Sequence, residues 1–152
     1  MRIAFIPDCQ VKHGVKLDHL TWCGKYLADK QPDVIVQGGD FADMPSLSSY
    51  DKGKRSFEGR RYRKDTEACQ RGMEMLLRPI LRQARYKPRR ILVSGNHEDR
   101  ISRAIEDNPT LEGTISQADL GYEEAGGKVY DYLQPVKVGG VYFSHYFPSG
   151  IM

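Results

Sequence analysis

Polar residues follow short apolar runs at four places in this chain, and this recurrence restricts the possible folds more than any other feature. Each place supplies side-chain oxygen or nitrogen atoms: Asp8 with Gln10, Gly39-Asp40, Gly95-Asn96-His97-Glu98, and His145. In an α/β protein the carboxyl ends of the strands meet at one crevice, although they lie far apart in the sequence. The pattern therefore predicts an α/β fold that brings these side chains together.

Strand and helix patterns alternate along most of the chain. We predict strands over residues 2–6, 33–36 and 90–94, and a helix that Asp18 caps and that stops before Pro32. Helical spacing of apolar residues predicts one long helix over residues 61–86, which Pro79 should kink because its ring lacks an N–H. Residues 44–59 have no clean period and predict a surface loop with about one helical turn.

Two more elements are predicted beyond the third strand. A short amphipathic helix after the Gly95 turn should end at Asn108-Pro109, because the residue before a proline avoids helical backbone angles. Residues 136–143 alternate around Gly139-Gly140, which is typical of a β-hairpin with a tight turn. His145 would lie at the exit of this hairpin.

Length, cysteine content and hydropathy exclude several classes of protein. A chain of 152 residues suits one globular domain, which we place at residues 1–152. The three cysteines have no CxxC spacing, which argues against a disulfide framework and against a thiolate zinc site. No apolar run approaches the roughly 18 residues of a membrane span. We therefore expect a soluble, cytoplasmic protein without membrane association.

Basic residues are concentrated in two stretches, although the formal net charge is only +3. Residues 50–64 combine Lys and Arg with Tyr50, Phe57 and Tyr62, and residues 78–90 hold six Lys or Arg with no acidic residue between them. Both stretches suit contact with phosphates, which makes nucleic acid a candidate partner. Solvated helix faces and loops are the alternative explanation.

The donor types at the strand ends suit divalent metal ions. Carboxylate and amide oxygens together with imidazole nitrogens are ligands for Mn²⁺, Zn²⁺ or Fe²⁺. Asp40 has the central position, because one carboxylate can bridge two ions about 3.5 to 4 Å apart. Each residue also has a simpler explanation: Asp40 and Asn96 are common in turns, and His97 and His145 occur on loops and strand ends.

These motifs resemble those of the calcineurin-like metallophosphoesterases. The family pattern of Asp-x-His, Gly-Asp-x-x-Asp, Gly-Asn-His-Glu/Asp and a later His is similar, in the same order, to four segments here: Asp8-Cys9-Gln10, Gly39-Asp40-Phe41-Ala42-Asp43, Gly95-Asn96-His97-Glu98 and Ser144-His145. The resemblance implies a sandwich of two mixed β-sheets flanked by helices. Gly-Asn-His-Glu after a buried strand is its most specific part.

By resemblance, two divalent ions would lie at the strand ends, most often Mn²⁺, with Zn²⁺, Fe²⁺ or Ni²⁺ as alternatives. Asp8 and Gln10 would hold the first ion, Asp40 would bridge, and Asn96 and His145 would hold the second. His97 would protonate the leaving oxygen while Asp43 orients its ring. Asn96, His97 and Arg100 would contact the substrate phosphate.

The sequence departs from the family pattern at two points. Gln10 stands where the family usually has His, as in some phage-encoded relatives, and an amide oxygen is a weaker ligand than imidazole. The sequence also reaches Met152 before any Gly-His-x-His, so we expect a C-terminally incomplete domain. A longer enzyme that has been interrupted, or a partner chain that completes the site, would account for this difference.

The resemblance implies a hydrolase that cleaves phosphate mono- or diesters through a hydroxide activated by two metal ions. Met44 occupies the position at which protein Ser/Thr phosphatases typically carry Arg, which disfavours a phosphoprotein phosphatase. A phosphodiesterase or nuclease-like activity fits the basic stretches better. The alternatives are a catalytically impaired scaffold that binds nucleic acid or protein, and a fragment whose exposed sheet edge promotes homo-oligomers.

Overall fold

A computed structural model describes residues 1–147 of the chain. The parallel sheet has the strand order β1 (Ile3–Ile6), β2 (Val34–Gln37), β3 (Arg89–Val93) and β4 (Lys128–Tyr130). An antiparallel hairpin consists of β5 (Val136–Val138) and β6 (Val141–Phe143). The α-helices of the described part are α1 (Asp18–Lys30), α2 (Tyr62–Leu81) and α3 (Arg100–Asp107).

Helices α1 and α2 pack against each other and against one face of the parallel sheet. Their apolar side chains form the main core with residues of the strands, including Leu20, Ile35 and Ile80. Gly24 sets the distance between the two helices, because a Cβ atom there would overlap the carbonyl oxygen of Leu76. The two helices therefore approach closely only because α1 has no side chain at this point.

The hairpin covers the opposite face of the parallel sheet. Val34 and Val36 of β2 and Ile91 of β3 pack with Val136 and Val138 in a second buried cluster. Successive side chains of a strand point to opposite faces, so Val34 and Val36 face the hairpin while Ile35 faces the helices. This packing fixes the hairpin over the central strands β2 and β3 and positions the residues that follow β6.

The predicted α/β class, with two sheets and flanking helices, is confirmed. Within residues 1–147 the larger sheet is parallel throughout and the smaller sheet is antiparallel, so neither sheet combines parallel and antiparallel pairs. No helix in this part of the chain is long and apolar enough to cross a membrane. The prediction of an incomplete domain concerns the end of the sequence, and residues 148–152 lie outside the described part of the chain.

Several predicted element boundaries were wrong. Helix α2 ends at Leu81 instead of continuing to residue 86, with Arg82 as its C-cap and turns in the segment that follows. Asp18 is the first residue of α1 and not its cap, since Leu17 holds the N-cap position without a side-chain hydrogen bond. The surface loop contains two short 3₁₀ helices, Pro45–Leu47 and Arg55–Phe57.

Candidate functional site

The loop after β1 is joined to the loop after β2 by backbone hydrogen bonds. The Gln10 amide donates to the Asp40 carbonyl oxygen at 2.9 Å, and Val11 pairs with Ala42 as an isolated parallel bridge. These contacts hold Asp8 beside the β2 loop while its side chain stays exposed. The two segments are therefore joined by backbone contacts that do not depend on the orientation of their side chains.

Glu98 joins the loop after β2 to the loop after β3. Its side chain is fully buried, and its Oε2 accepts hydrogen bonds from the backbone amides of Asp40 at 2.9 Å and Gly95 at 2.8 Å. Its Oε1 accepts hydrogen bonds from the Ala42 amide and the Tyr122 hydroxyl, each at 3.0 Å. A short polar side chain at this point would leave several buried N–H groups without an acceptor, which is costly.

Two glycines allow the loops to approach each other at van der Waals distance. A Cβ atom on Gly39 would lie 2.5 Å from His145 Nδ1 and 2.8 Å from the Cα atom of Gly95. A Cβ atom on Gly95 would overlap the carboxylate of Asp40. Side chains larger than hydrogen at these two positions would therefore push the loops apart.

Non-glycine residues with positive φ also surround the site. Gln10 has φ 46°, Asp40 has φ 50° and Met44 has φ 48°. L-amino acids adopt this left-handed region at a cost of roughly 1–3 kcal/mol, and such residues concentrate at functional sites. The backbone at Asp40 is held in this conformation by the hydrogen bonds from its neighbours described above.

His145 lies in the centre of the candidate ligands. Its Nδ1 is 2.9 Å from the carbonyl oxygen of Gly38, and its Nε2 is 3.0 Å from Oδ1 of Asn96. The same ring lies 3.7 Å from Asp40 Oδ1 and 4.0 Å from Asp8 Oδ1. The hairpin thus delivers one imidazole to the ends of three strands of the parallel sheet.

His97 contacts two carboxylates on the other side of Asp40. Its Nδ1 lies 3.0 Å from Asp43 Oδ1, and its Nε2 lies 3.6 Å from Asp40 Oδ2. Asp43 Oδ2 also forms an ion pair with the Lys12 ammonium group at 2.9 Å. The contact with His97, and then Lys12, lowers the pKa of Asp43 to about 2, so this carboxylate is ionised across the physiological range.

Arg100 contacts the Nε2 side of the His97 ring. Its guanidinium group donates hydrogen bonds to the carbonyl oxygens of Asp43 at 2.7 Å and Met44 at 3.3 Å. Its Nη2 lies 3.1 Å from His97 Nε2. Because a guanidinium group only donates, this contact makes Nε2 an acceptor and corresponds to the tautomer with its proton on Nδ1, beside Asp43.

The structure brings all but one of the sequence-predicted site residues into one contact network. Gln10 is the exception, because its side chain is exposed and only its backbone joins the network. The members that touch directly through the contacts above are Asp8, Asp40, Asp43, Asn96, His97, Arg100 and His145.

A sequence model of the calcineurin-like phosphoesterases matches residues 1–149 of the chain. The chain belongs to the calcineurin-like phosphoesterase family. The family resemblance inferred from the Gly-Asp and Gly-Asn-His-Glu segments is thereby confirmed. Calcineurin-like phosphoesterases act on phosphate esters and generally use two divalent metal ions.

A phage protein is similar to part of this calcineurin-like phosphoesterase. The Gene 54 protein of Mycobacterium phage L5 is 35% identical over 79 residues. The aligned stretch covers 52% of this chain and 31% of the phage protein, so the similarity spans only about a third of that relative. This relative supports the phage link suggested by the Asp-x-Gln variant.

The donor set fits divalent ions around Asp40. The two oxygens of its carboxylate face different histidines, with Oδ1 towards His145 and Oδ2 towards His97. The carboxylate of Asp8, the amide oxygen of Asn96 and the His145 ring supply further donors of the type that such ions bind. Among residues 1–147 no three His, Cys, Asp or Glu side chains are already arranged as a site for one ion.

Glu98 has a role in the site that its motif alone does not reveal. Helix α3 begins only at Arg100, and the Glu98 side chain is buried in the protein. The sequence does contain a signal of this role, since a carboxylate three residues after Gly95 can reach back to that amide. The contacts to Asp40 and Ala42 depend on the tertiary fold and have no sequence signal.

Proposed function

We propose that this chain is a metal-dependent phosphoesterase that hydrolyses phosphate mono- or diesters. The observation that carries the proposal is the meeting of Asp8, Asp40, Asn96 and His145 from four separate segments. Two carboxylates, an amide and an imidazole from distant segments are not expected to meet at the strand ends of an α/β domain that has no binding site there. The membership of the calcineurin-like phosphoesterase family supports the same reaction class.

Asp8, Asp40, Asn96 and His145 are the side chains that would hold the two ions, and Asp40 is the ligand that both would share. When bound, divalent ions supply a nucleophile at neutral pH and offset the negative charge of the phosphate. Gln10 is a weaker candidate than the others, because its side chain is exposed and must turn inwards to contribute its amide oxygen. Mn²⁺ is the proposed metal, since oxygen-rich donor sets favour it over softer ions.

His97 is the proposed proton donor to the leaving oxygen, with Asp43 as the residue that orients its ring. The 3.0 Å contact between Nδ1 and the ionised Asp43 carboxylate fixes the ring orientation and favours a proton on Nδ1. The opposite nitrogen, Nε2, faces Asp40 and thus the proposed metal side. Donation from Nε2 requires that this nitrogen first take up a proton from solvent, which makes the ring an imidazolium, and then pass that proton to the leaving oxygen.

Arg100 has a proposed role that depends on the same nitrogen. Its guanidinium group lies against His97 Nε2, so Nε2 carries a proton only after Arg100 has moved away. A phosphate oxygen is a better partner for a guanidinium group than a neutral imidazole. Substrate binding would therefore draw Arg100 towards the phosphate and release His97 for proton transfer.

The test is hydrolysis of a bis-aryl phosphate by the purified chain with added Mn²⁺, together with measurement of bound metal. We expect turnover that falls about 10²- to 10⁴-fold in His97→Ala, with metal content unchanged. His19→Ala is the matched control, because His19 is exposed on α1 and lies outside the contact network. Asp40→Asn should lose both bound metal and turnover.

Three results would contradict the proposal. Absence of bound Mn²⁺ in the wild-type chain would show that the proposed ligands do not hold this metal. Bound metal without turnover would favour the alternative of a catalytically impaired scaffold. Turnover that is equal in His97→Ala and His19→Ala would show that His97 takes no part in proton transfer.

A further inference from the structure

A cleft of about 500 Å³ opens next to the His97 side of the candidate site. Asp43 and Arg100, which contact His97, form its inner wall. Its outer wall comes from Tyr50 and from the segment that leads into α2, including Arg61 and Lys64. The cleft is thus continuous with the proposed catalytic residues, and its volume lies in the range of small-ligand pockets.

Apart from Arg100, which contacts His97, the Lys and Arg residues of the cleft divide into two groups. Lys12 is paired with Asp43 at 2.9 Å, and Arg60 is paired with Asp51 at 2.6 Å. Arg61 and Lys64 contact only backbone carbonyl oxygens, those of Arg60 at 2.7 Å and Gly59 at 3.3 Å.

Within the described residues neither Arg61 nor Lys64 has an acidic partner, and both side chains are exposed. Two charges at the first turn of α2 are therefore available to an anion. The two remaining acidic residues of the cleft form no ion pair with Arg61 or Lys64 in the described structure. Asp65 is buried and accepts a hydrogen bond from the Ser46 amide, and Glu58 is exposed at the outer edge.

Tyr50 gives the cleft an aromatic wall that is almost fully open to solvent. The residue is 80% exposed, and it lines the cleft together with Asp43 and Ser48. An exposed tyrosine beside unpaired cations is the arrangement by which proteins bind single-stranded nucleic acids, with bases stacked on the ring and phosphates on the cations. A duplex keeps its bases stacked inside and offers no base face to Tyr50.

We propose that the cleft binds the nucleotide next to the scissile phosphodiester of a single-stranded nucleic acid. Arg61 and Lys64 bind its flanking phosphate, Tyr50 stacks on its base, and the scissile phosphate lies at His97. The inference rests on the proposed phosphoesterase function and narrows its substrate to a phosphodiester with a second phosphate nearby. A simple monoester would leave the cleft and both cations unused.

The experiment measures binding of a fluorescein-labelled oligothymidylate of about ten nucleotides to the full chain by fluorescence anisotropy. EDTA is present, so binding is recorded without hydrolysis and does not depend on the proposed catalytic activity. The variants are Arg61→Gln/Lys64→Gln, Tyr50→Leu and Tyr50→Phe. The matched control is Arg85→Gln/Lys87→Gln, which removes the same charge from positions outside the cleft.

We expect the wild-type chain to bind with an affinity that falls as salt rises. Loss of two phosphate contacts in Arg61→Gln/Lys64→Gln should reduce the slope of log affinity against log salt by about 1.4, since each contact contributes about 0.7 for single strands. Tyr50→Leu should weaken binding about 10-fold, while Tyr50→Phe retains the stacking surface and stays near the wild type. The control should keep the wild-type slope and affinity.

Equal losses in the cleft variant and the Arg85/Lys87 control would show general charge attraction and overturn the proposal. Absence of binding by the wild-type chain would also overturn it, and so would duplex DNA that binds as tightly as the single strand. Hydrolysis of the bis-aryl phosphate by the same protein, with Mn²⁺ in place of EDTA, would then show that the phosphoesterase function holds while the substrate assignment fails.

Discussion

Replacement of Glu98 by Gln tests whether one buried carboxylate holds the ligand loops together. The substitution keeps the shape of the side chain and turns one of its two oxygens into an NH₂ group. The Oε2 position serves the amides of Asp40 and Gly95, so an NH₂ group there would leave two buried donors without an acceptor. The NH₂ group should therefore take the Oε1 position, where the Tyr122 hydroxyl can turn and accept from it.

The expected loss of stability follows from this arrangement. With NH₂ at the Oε1 position, the Ala42 amide loses its acceptor, and a buried unsatisfied donor costs about 1–3 kcal/mol. The bonds to Asp40 and Gly95 lose the assistance of the negative charge, which is partly offset because a neutral amide is easier to bury. We expect a net loss of about 2–4 kcal/mol in the free energy of unfolding, or roughly 4–16 °C in Tm for a chain of this size.

Urea denaturation and thermal scans of Glu98→Gln and Tyr122→Phe measure this loss. Tyr122→Phe removes the bond to Oε1 and the weak hydrogen bond that the Cys69 thiol donates to the Tyr122 hydroxyl, and it should cost about 1–2 kcal/mol. The double variant should lose more than the sum, because the side-chain amide introduced by Glu98→Gln no longer has the Tyr122 oxygen as an acceptor. A Glu98→Gln protein within about 0.5 kcal/mol of the wild type would refute the reasoning, since exposed positions give changes of that size.

Three further predictions concern packing, pH and the ligand loops. Gly24→Ala should lower stability by about 1–3 kcal/mol in urea denaturation, because its methyl group must push α1 away from α2; a change near zero would contradict the close contact at Leu76. Since the pKa of Asp43 is lowered from 3.8 to about 2, its contribution to stability is present above pH 4 and disappears as the pH falls towards 2. The difference in unfolding free energy between the wild type and Asp43→Asn should therefore shrink over that interval, and a constant difference would argue against it. Gly39→Ala should displace His145 and weaken Mn²⁺ binding measured by calorimetry, whereas Gly14→Ala, with a similar positive φ and open space around it, should not.

Local sequence patterns were sufficient to predict the strands that carry the candidate site. Short apolar runs before Gly39 and Gly95 indicated buried strands, and the glycines marked the turns at which the chain leaves the sheet. The hairpin around Gly139-Gly140 was predicted for the same reason and is present as β5 and β6. Side chains placed directly after strand ends could therefore be assigned to one region of the fold.

Features that depend on contacts between distant residues were not predictable in this way. Strand β4 has only three residues and is recognisable through its pairing with β3, not through its own sequence. The bonds from Glu98 to the Asp40 loop span 56 to 58 residues. The contact of Arg100 with His97 was also missed, because sequence spacing alone does not decide whether an arginine turns to solvent or to its own helix start.

The hairpin gives this protein a direct thermodynamic link between ligand occupancy and local opening. His145 reaches the Gly38 carbonyl across 107 residues of chain, and the same hairpin covers Val36 and Val93. Any fluctuation that lifts β5 and β6 from the parallel sheet both exposes that apolar surface and withdraws the imidazole. A ligand shared by His145 and Asp40 must therefore slow the hydrogen exchange that proceeds through this opening, and it raises the free energy of opening by RT ln(1 + [L]/Kd), where Kd is its dissociation constant from the closed form.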